Sequence, residues 1–282
     1  LPELTSDDVK RLIFSCLTED QCKYAEANLE LDCGFGVDGL GRFRVNVYKD
    51  RGSYAAALRV VLSRIPSIDE LGLLPICKEI IQKPRGLVLV TGPTGSGKST
   101  TLAAMVDYIN TNDAKHIITI EDPVEFVHAS KKCLINQREV GKHTKSFSRA
   151  LRSALREDPD VILVGELRDM ETIQLALTAA ETGHLVMGTL HTNSAPKTID
   201  RIIDVFPAND KEMVRAMLSV SLEAVVTQAL LKRKDGGRVA THEIMLGTPA
   251  VRNLIREAKI PQLYSLIQIG SKIGMRTMKD SV

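Results

Sequence analysis

Residues 87–90, 117–120, 161–164 and 185–190 are short, nearly unbroken apolar runs separated by longer amphipathic stretches. Runs of this kind are expected of parallel strands covered by helices on both faces, where no side of the strand meets water. The texture before them is different. Val9, Leu12, Ile13, Cys16 and Leu17 recur at helical spacing, and residues 41–48 alternate, with Phe43, Val45 and Val47 on one strand face and Arg42, Arg44 and Asn46 on the other. Pro66 and the polar turn residues of 64–72 mark a connection. The pattern therefore predicts an α/β fold in two parts: a small N-terminal α+β domain over 1–62, a linker over 63–75 and an α/β domain over 76–282.

Two helices outside the strand series stand out. Residues 147–156 set Phe147, Leu151, Ala154 and Leu155 against Arg149, Arg152 and Arg156. Residues 248–257 read as a capped helix, with Thr248 as N-cap, Pro249 in the first turn, and Val251, Leu254, Ile255 and Ala258 on one face. Arg252 and Arg256 are then expected on the opposite, outward side.

The segment G-P-T-G-S-G-K-S-T at 92–100 follows the first apolar run and leads into helix-compatible sequence. Gly92, Gly95 and Gly97 let the backbone of Thr94, Ser96 and their neighbours curl until its N–H groups face an anion, and the helix that begins nearby adds its positive end. Lys98 is placed to reach β- and γ-phosphates, and the hydroxyl of Ser99, next to Thr100, to ligate Mg²⁺. The spacing predicts a nucleoside triphosphate site.

Composition narrows the rest. Lys+Arg 37 against Asp+Glu 35 leaves a formal charge of +2, so nothing marks the chain as a nucleic-acid binder. The apolar runs fall far short of the ~20 residues that span a bilayer, so membrane association is expected only through partners. Five scattered cysteines without a C-x-x-C pair argue against a disulfide framework or zinc knuckle and for a reducing cytoplasm. A chain that begins at Leu1 and stops in a polar run is expected to be a piece trimmed at both ends.

Mg-nucleotide chemistry also needs acids at neighbouring strand tips. The run 161–164 leads through Gly165 to Glu166, which is expected to face Mg²⁺. With Gly165 where an Asp commonly stands, a second acid must come from elsewhere, and Glu121 at the end of 117–120, ahead of Asp122 and Pro123, is the candidate for polarising the attacking water. A solvated acidic turn is the plainer alternative. His184 and His191 bracket the run 185–190 with opposite strand parity, so they are expected at different ends of it, His191 near the ligand-gathering tip. Either could equally be a structural hydrogen-bonding residue. Arg42, Arg44, Arg51 and Arg64 fit a solvated face or guanidinium fingers that neutralise γ-phosphate charge from another domain or subunit.

With these motifs in place the chain resembles the type IV pilus retraction ATPases of the secretion-ATPase superfamily over almost its whole length. I-T-I-E-D-P-V-E-F-V-H at 118–128 resembles the family's Asp box, I-L-V-G-E at 162–166 its atypical Walker B, and T-A-A-E-T-G-H-L-V-M-G-T-L-H-T at 178–192 its His box. A-V-R-N-L-I-R-E at 250–257 is similar to the signature of retraction members, and the four-cysteine zinc insert of extension and secretion members is absent. The resemblance implies a PAS-like N-terminal domain, a RecA-like P-loop NTPase domain, ATP and Mg²⁺ as ligands, and a homohexamer. It implies cytoplasmic placement at the inner-membrane base of a pilus, where the ring acts on a platform protein and through it on pilin. It also implies nucleotide contacts across subunits by Arg42, Arg44, Arg51 and Arg64, catalytic places for His184 and His191, a coupling role for 248–257, and further C-terminal helices after 282.

Overall fold

Thr5 and Thr18 each open a helix with a capping box: the hydroxyl accepts from the backbone N–H three residues on, and the Asp8 or Gln21 side chain accepts from the cap's own N–H. These caps start α1 (Ser6–Ser15) and α2 (Glu19–Asn28). The structure is a computed structural model that describes residues 3–37, 41–61 and 64–282, the side chains of Arg42 and Val61 excepted. Three antiparallel strands follow the helices, β1 (Glu30–Val37), β2 (Gly41–Asp50) and β3 (Ser53–Val61), in that spatial order. Cys33, Val45, Val47 and Tyr54 form their core, with Ile13, Phe14, Leu17 and Phe43 packed on it. The alternation expected across 41–48 thus has its buried side. The helical stripe is narrower than expected: α1 ends at Ser15, Leu12 is exposed and Cys16 lies beyond the last turn in solvent.

The chain divides into two compact units between Arg64 and Ile65. Of the segment expected to be a linker, residue 63 lies outside the described residues, and Ile68 and Leu73 are buried in the core of the second unit. Its apolar residues pack where a solvated connection was expected.

The second unit is RecA-like α/β. Its strands are β4 (Gly86–Thr91), β5 (His116–Glu121), β6 (Leu134–Glu139), β7 (Val161–Val164), β8 (Leu185–Leu190), β9 (Leu222–Lys232) and β10 (Arg238–Leu246). They form one sheet in the order β10-β9-β4-β8-β7-β5-β6, parallel throughout except for β10. The helices are α3 (Ile76–Ile80), α4 (Lys98–Asn112), α5 (Phe147–Ala154), α6 (Met170–Thr182), α7 (Ala195–Asp204), α8 (Lys211–Ser221), α9 (Pro249–Arg256), α10 (Leu263–Ile269) and α11 (Met278–Ser281). Alternate residues of β4 feed two separate cores. Leu87 and Leu89 join α5, α6 and α7 on one face, and Val88 and Val90 join α3 and α4 on the other. Both faces are dry, which is why the strand sequences show no polar alternation. Each fully buried Leu, Ile or Val contributes about 1.5–3 kcal/mol.

At α9, Thr248 accepts from Val251 N–H and Pro249 takes the first position, and Val251 and Ile255 are buried. Two details differ from the sequence pattern. Ala258 lies past the helix end in a left-handed conformation and is exposed. Arg252 is not an outward residue: it donates to Gly247 O at 2.6 Å, Ser219 O at 3.1 Å and Val220 O, and pairs with Glu223 at 2.6 Å. Its guanidinium satisfies carbonyls at the end of α8, where the helix gives way to β9. Arg256 is the exposed basic residue of α9. Among the described residues no helix is long and apolar enough to cross a membrane, and the five cysteines form no disulfide with one another.

Candidate nucleotide site

The phosphate loop begins where β4 ends. Gly92 has φ 143°, and a Cβ there would strike the backbone oxygen of Gln228 and lie 2.7 Å from Ser96 Oγ, so only glycine fits. Gln228 is the floor of the loop. Its Nε2 donates to Ser96 O at 2.5 Å, and its Oε1 accepts from Thr101 Oγ1 at 2.8 Å, which joins the loop to the first turn of α4. Thr94 and Gly95 are exposed, Gly97 is the N-cap of α4, and Ser99 and Thr100 are half-buried in its first turn. Lys98 Nζ donates to Gly92 O at 2.9 Å and Pro93 O at 3.1 Å. Burial lowers its pKa, with the charges of Glu166 and Glu125 opposing.

The C-terminal ends of β4, β5, β7 and β8 point the same way, so the residues that follow them gather at one edge of the sheet. Gly165 N–H donates to Ile120 O at 2.7 Å and Thr189 Oγ1 to Gly165 O at 2.5 Å. A Cβ at Gly165 would sit 3.2 Å from Ile120 O and 3.3 Å from Glu121 Cα. The place of a strand-end Asp is therefore crowded by the backbone of the neighbouring acid. Glu121 accepts from Thr119 Oγ1 at 2.7 Å and Gln137 Nε2 at 3.2 Å. Burial raises its carboxyl pKa, and these hydrogen bonds only partly oppose the rise. Glu166 moves the other way. Burial would raise it, but the hydrogen bond and charge of Arg168 at 2.6 Å, helped by His191 at 3.1 Å, bring its pKa below the usual value.

The two histidines part company. His191 follows β8 at the loop edge and holds Glu166. His184 precedes β8 at the opposite edge, where its carbonyl accepts from Gly86 N–H and its Nδ1 lies 3.0 Å from Ala179 O at the end of α6. Within the chain the structure does not bring His184 to Lys98. Arg44, Arg51 and Arg64 belong to the first unit: Arg44 is half-buried on β2, Arg51 stands exposed with φ 49° between β2 and β3, and Arg64 is exposed. The side chain of Arg42 lies outside the described residues.

Sequence reasoning missed the supporting residues. Gln137 Nε2 donates to Phe126 O at 2.8 Å as well as to Glu121, and its Oε1 accepts from His128 N–H at 2.8 Å. Glu139 accepts from Val124 N–H at 3.2 Å. Both lie on β6 beside β5 and fasten the turn that follows Glu121. A polar residue two places from another on an edge strand carries no distinctive spacing, so nothing in the sequence marks either. Arg168 could have been found, as a cation two residues from Glu166.

The site fits a Mg-nucleotide. Ser96 Oγ is buried in the loop without a hydrogen-bond partner, and Lys98 spends its donors on loop carbonyls that an anion would replace. The described residues contain no cluster of three or more His, Cys, Asp or Glu able to hold a metal by themselves. Ser99 and Glu166 offer one hydroxyl and one carboxylate, which suits a cation whose other ligands are phosphate and water.

The family model of the type II/IV secretion system protein matches residues 55–236. The chain is 60% identical to the type IV pilus retractation ATPase PilT of Pseudomonas aeruginosa, over 99% of this chain and 81% of that protein. It is 59% identical to a twitching motility protein of Neisseria gonorrhoeae, over 100% of this chain and 76% of the other. A crystal structure of the pilus retraction motor PilT with bound ADP superposes with a TM-score of 0.90 at 52% identity, covering 98% of this chain and 83% of that one. With the family model matched over most of its length and relatives of this identity along the whole of it, the chain belongs to the type II/IV secretion system protein family.

Proposed function

We propose that this protein is an ATPase motor that hydrolyses ATP to ADP and phosphate and drives retraction of a type IV pilus. The observation that carries the reading is the gathering of Lys98, Glu121, Glu166 and His191 at one sheet edge above a loop shaped for phosphates. The likeness to an ADP-bound retraction motor supports it. Ser99 and Glu166 would hold Mg²⁺, which when bound neutralises charge on the β- and γ-phosphate oxygens. Lys98 offsets charge on the same phosphates. Glu121 takes the proton of the attacking water as its oxygen bonds to the γ-phosphorus and the bond to the bridging oxygen breaks. His191 and Arg168 orient Glu166.

Arg42, Arg44 and Arg51, with Arg64, supply guanidinium groups to the phosphates of a neighbouring subunit in a homohexameric ring, and His184 serves that ring from the far edge of β8. The ring stands in the cytoplasm at the inner-membrane base of the pilus. There it acts on a membrane platform protein, and α9 passes the motion on to that partner and so to pilin.

Two experiments test this. In a strain that lacks its own retraction motor, the full-length protein is expected to restore surface motility, whereas Lys98→Ala leaves pili displayed and the cells immobile; motility with Lys98→Ala would overturn the motor reading. Doping Lys98→Ala rings with Arg44→Ala subunits is expected to recover part of the ATP turnover, because some interfaces then pair an intact Lys98 with an intact Arg44. A strictly additive loss would confine the arginine to its own subunit.

A further inference from the structure

A cavity of about 30 Å³ lies among Ser99, Thr119, Glu121, His128, Gly165 and Thr189. One water needs roughly 10–15 Å³ and two to four polar partners, and this wall offers three hydroxyls, a carboxylate and an imidazole. His128 gives the cavity its second mark. Its Nδ1 is buried without a hydrogen-bond partner, and a buried polar atom left unsatisfied is destabilising. The main chain that carries the ring is held, since His128 N–H donates to Gln137 Oε1 at 2.8 Å. The Nε2 of that same amide donates to Glu121 Oε1 at 3.2 Å. One side chain of β6 thus ties the His128 main chain and the Glu121 carboxylate together beside the cavity that both residues line.

We propose that this cavity binds one ordered water between the Glu121 carboxylate and His128 Nδ1, which makes His128 a positioning residue for Glu121. The water gives the carboxylate a further partner beside Thr119, Gln137 and the Glu125 backbone N–H and holds it against rotation. Desolvation pushes the His128 pKa down to about 4, with Asp107 opposing and Lys131 reinforcing the shift. The ring is therefore neutral near pH 7 and offers one donor and one acceptor nitrogen, and Nδ1 can serve the water in either tautomer.

The inference rests on the hydrolytic reading of Glu121, and the test separates the two. A crystal structure of the full-length protein with ADP, at a resolution that shows waters, is expected to place one within about 3.2 Å of both Glu121 and His128 Nδ1; a cavity without that water overturns the proposal, whatever the variants do. His128→Leu is expected to lower kcat about tenfold or more with the ADP dissociation constant held within about twofold, as misplacement of a catalytic group does. His128→Asn, whose amide puts a polar atom near Nδ1, is expected to regain most of that loss and to retain the water. A merely structural histidine would lower the melting temperature of His128→Leu and leave kcat unchanged, which would also overturn it. Should Lys98→Ala hydrolyse ATP normally, the reading of the whole site falls. Should Lys98→Ala be inactive while His128→Leu turns over normally, only the water site falls.

Discussion

Lys98→Ala is expected to reduce ATP hydrolysis by at least about a thousandfold, roughly 4 kcal/mol of transition-state stabilisation. The loop that carries Lys98 supplies backbone N–H groups and no second cation. Its ammonium is held among carbonyls of the loop itself, 2.9 Å from Gly92 O and 3.1 Å from Pro93 O. A phosphate entering the loop exchanges those neutral acceptors for a charged one, and alanine leaves nothing to make the exchange. The backbone cradle stays, because Gln228 holds it through Ser96 O and Thr101 and the close approach of Gly92 to the Gln228 backbone sets its shape, neither of which involves the lysine head. Folding should therefore survive while turnover does not. Phosphate release at saturating ATP measures the effect, and turnover within tenfold of the parent protein would remove Lys98 from the reaction.

Glu121→Gln is expected to keep nucleotide affinity and to lose about 10²–10⁴ in kcat, the range of a general base. The amide can still accept from Thr119 and Gln137 through its oxygen, so the strand end keeps its shape, but it cannot take a proton. The sign of the pH dependence follows from burial. A base works when ionised, and desolvation raises the Glu121 carboxyl above its ordinary value. The acidic limb of kcat is accordingly expected at higher pH than an exposed glutamate would give. In Glu121→Gln the residual rate should lack that limb. Rates measured across pH for both proteins check the assignment; loss of ADP binding in the variant would instead make Glu121 a metal or folding residue.

The parts of this protein that were legible in its sequence share a physical cause. Strands β4, β5, β7 and β8 are dry on both faces, so their apolar runs could be read without knowing their neighbours. The phosphate loop was legible because its glycines answer to backbone geometry and its lysine to phosphate charge. Strand β6 was not, since Leu134 is exposed and polar residues occupy most of its length on the sheet edge. Strand β9 was hidden for another reason. Helix α8 ends at Ser221 and β9 starts at Leu222 with no Gly, Pro or Asn between them, so no turn signal separates the two. Gln228 went unnoticed with it, although it holds the phosphate loop through Ser96 O and the first turn of α4 through Thr101. Arg252 shows the limit of helical periodicity: the wheel placed it opposite the apolar face, but its long stem lets the guanidinium reach back to the carbonyls at the end of α8.

Strand β9 also works as a ruler. It is bonded to β4 on one side and β10 on the other, with Glu223 clasped by Arg252 near its start and Gln228 under the phosphate loop farther along. The ladder with β4, regular from Val88↔Ala224 to Thr91↔Thr227, sets the length of the stretch between those two residues. One residue inserted there would bring Thr227 to the place of Gln228, and one deleted would bring Ala229; neither side chain can span from Ser96 O to the hydroxyl of Thr101. Because side chains alternate along a strand, either change would also turn the rest of β9 over, exchanging its two faces against the helices. A change of length in the interval from Glu223 to Gln228 is therefore expected to remove the floor of the phosphate loop, as a change in the length of an exposed loop is not.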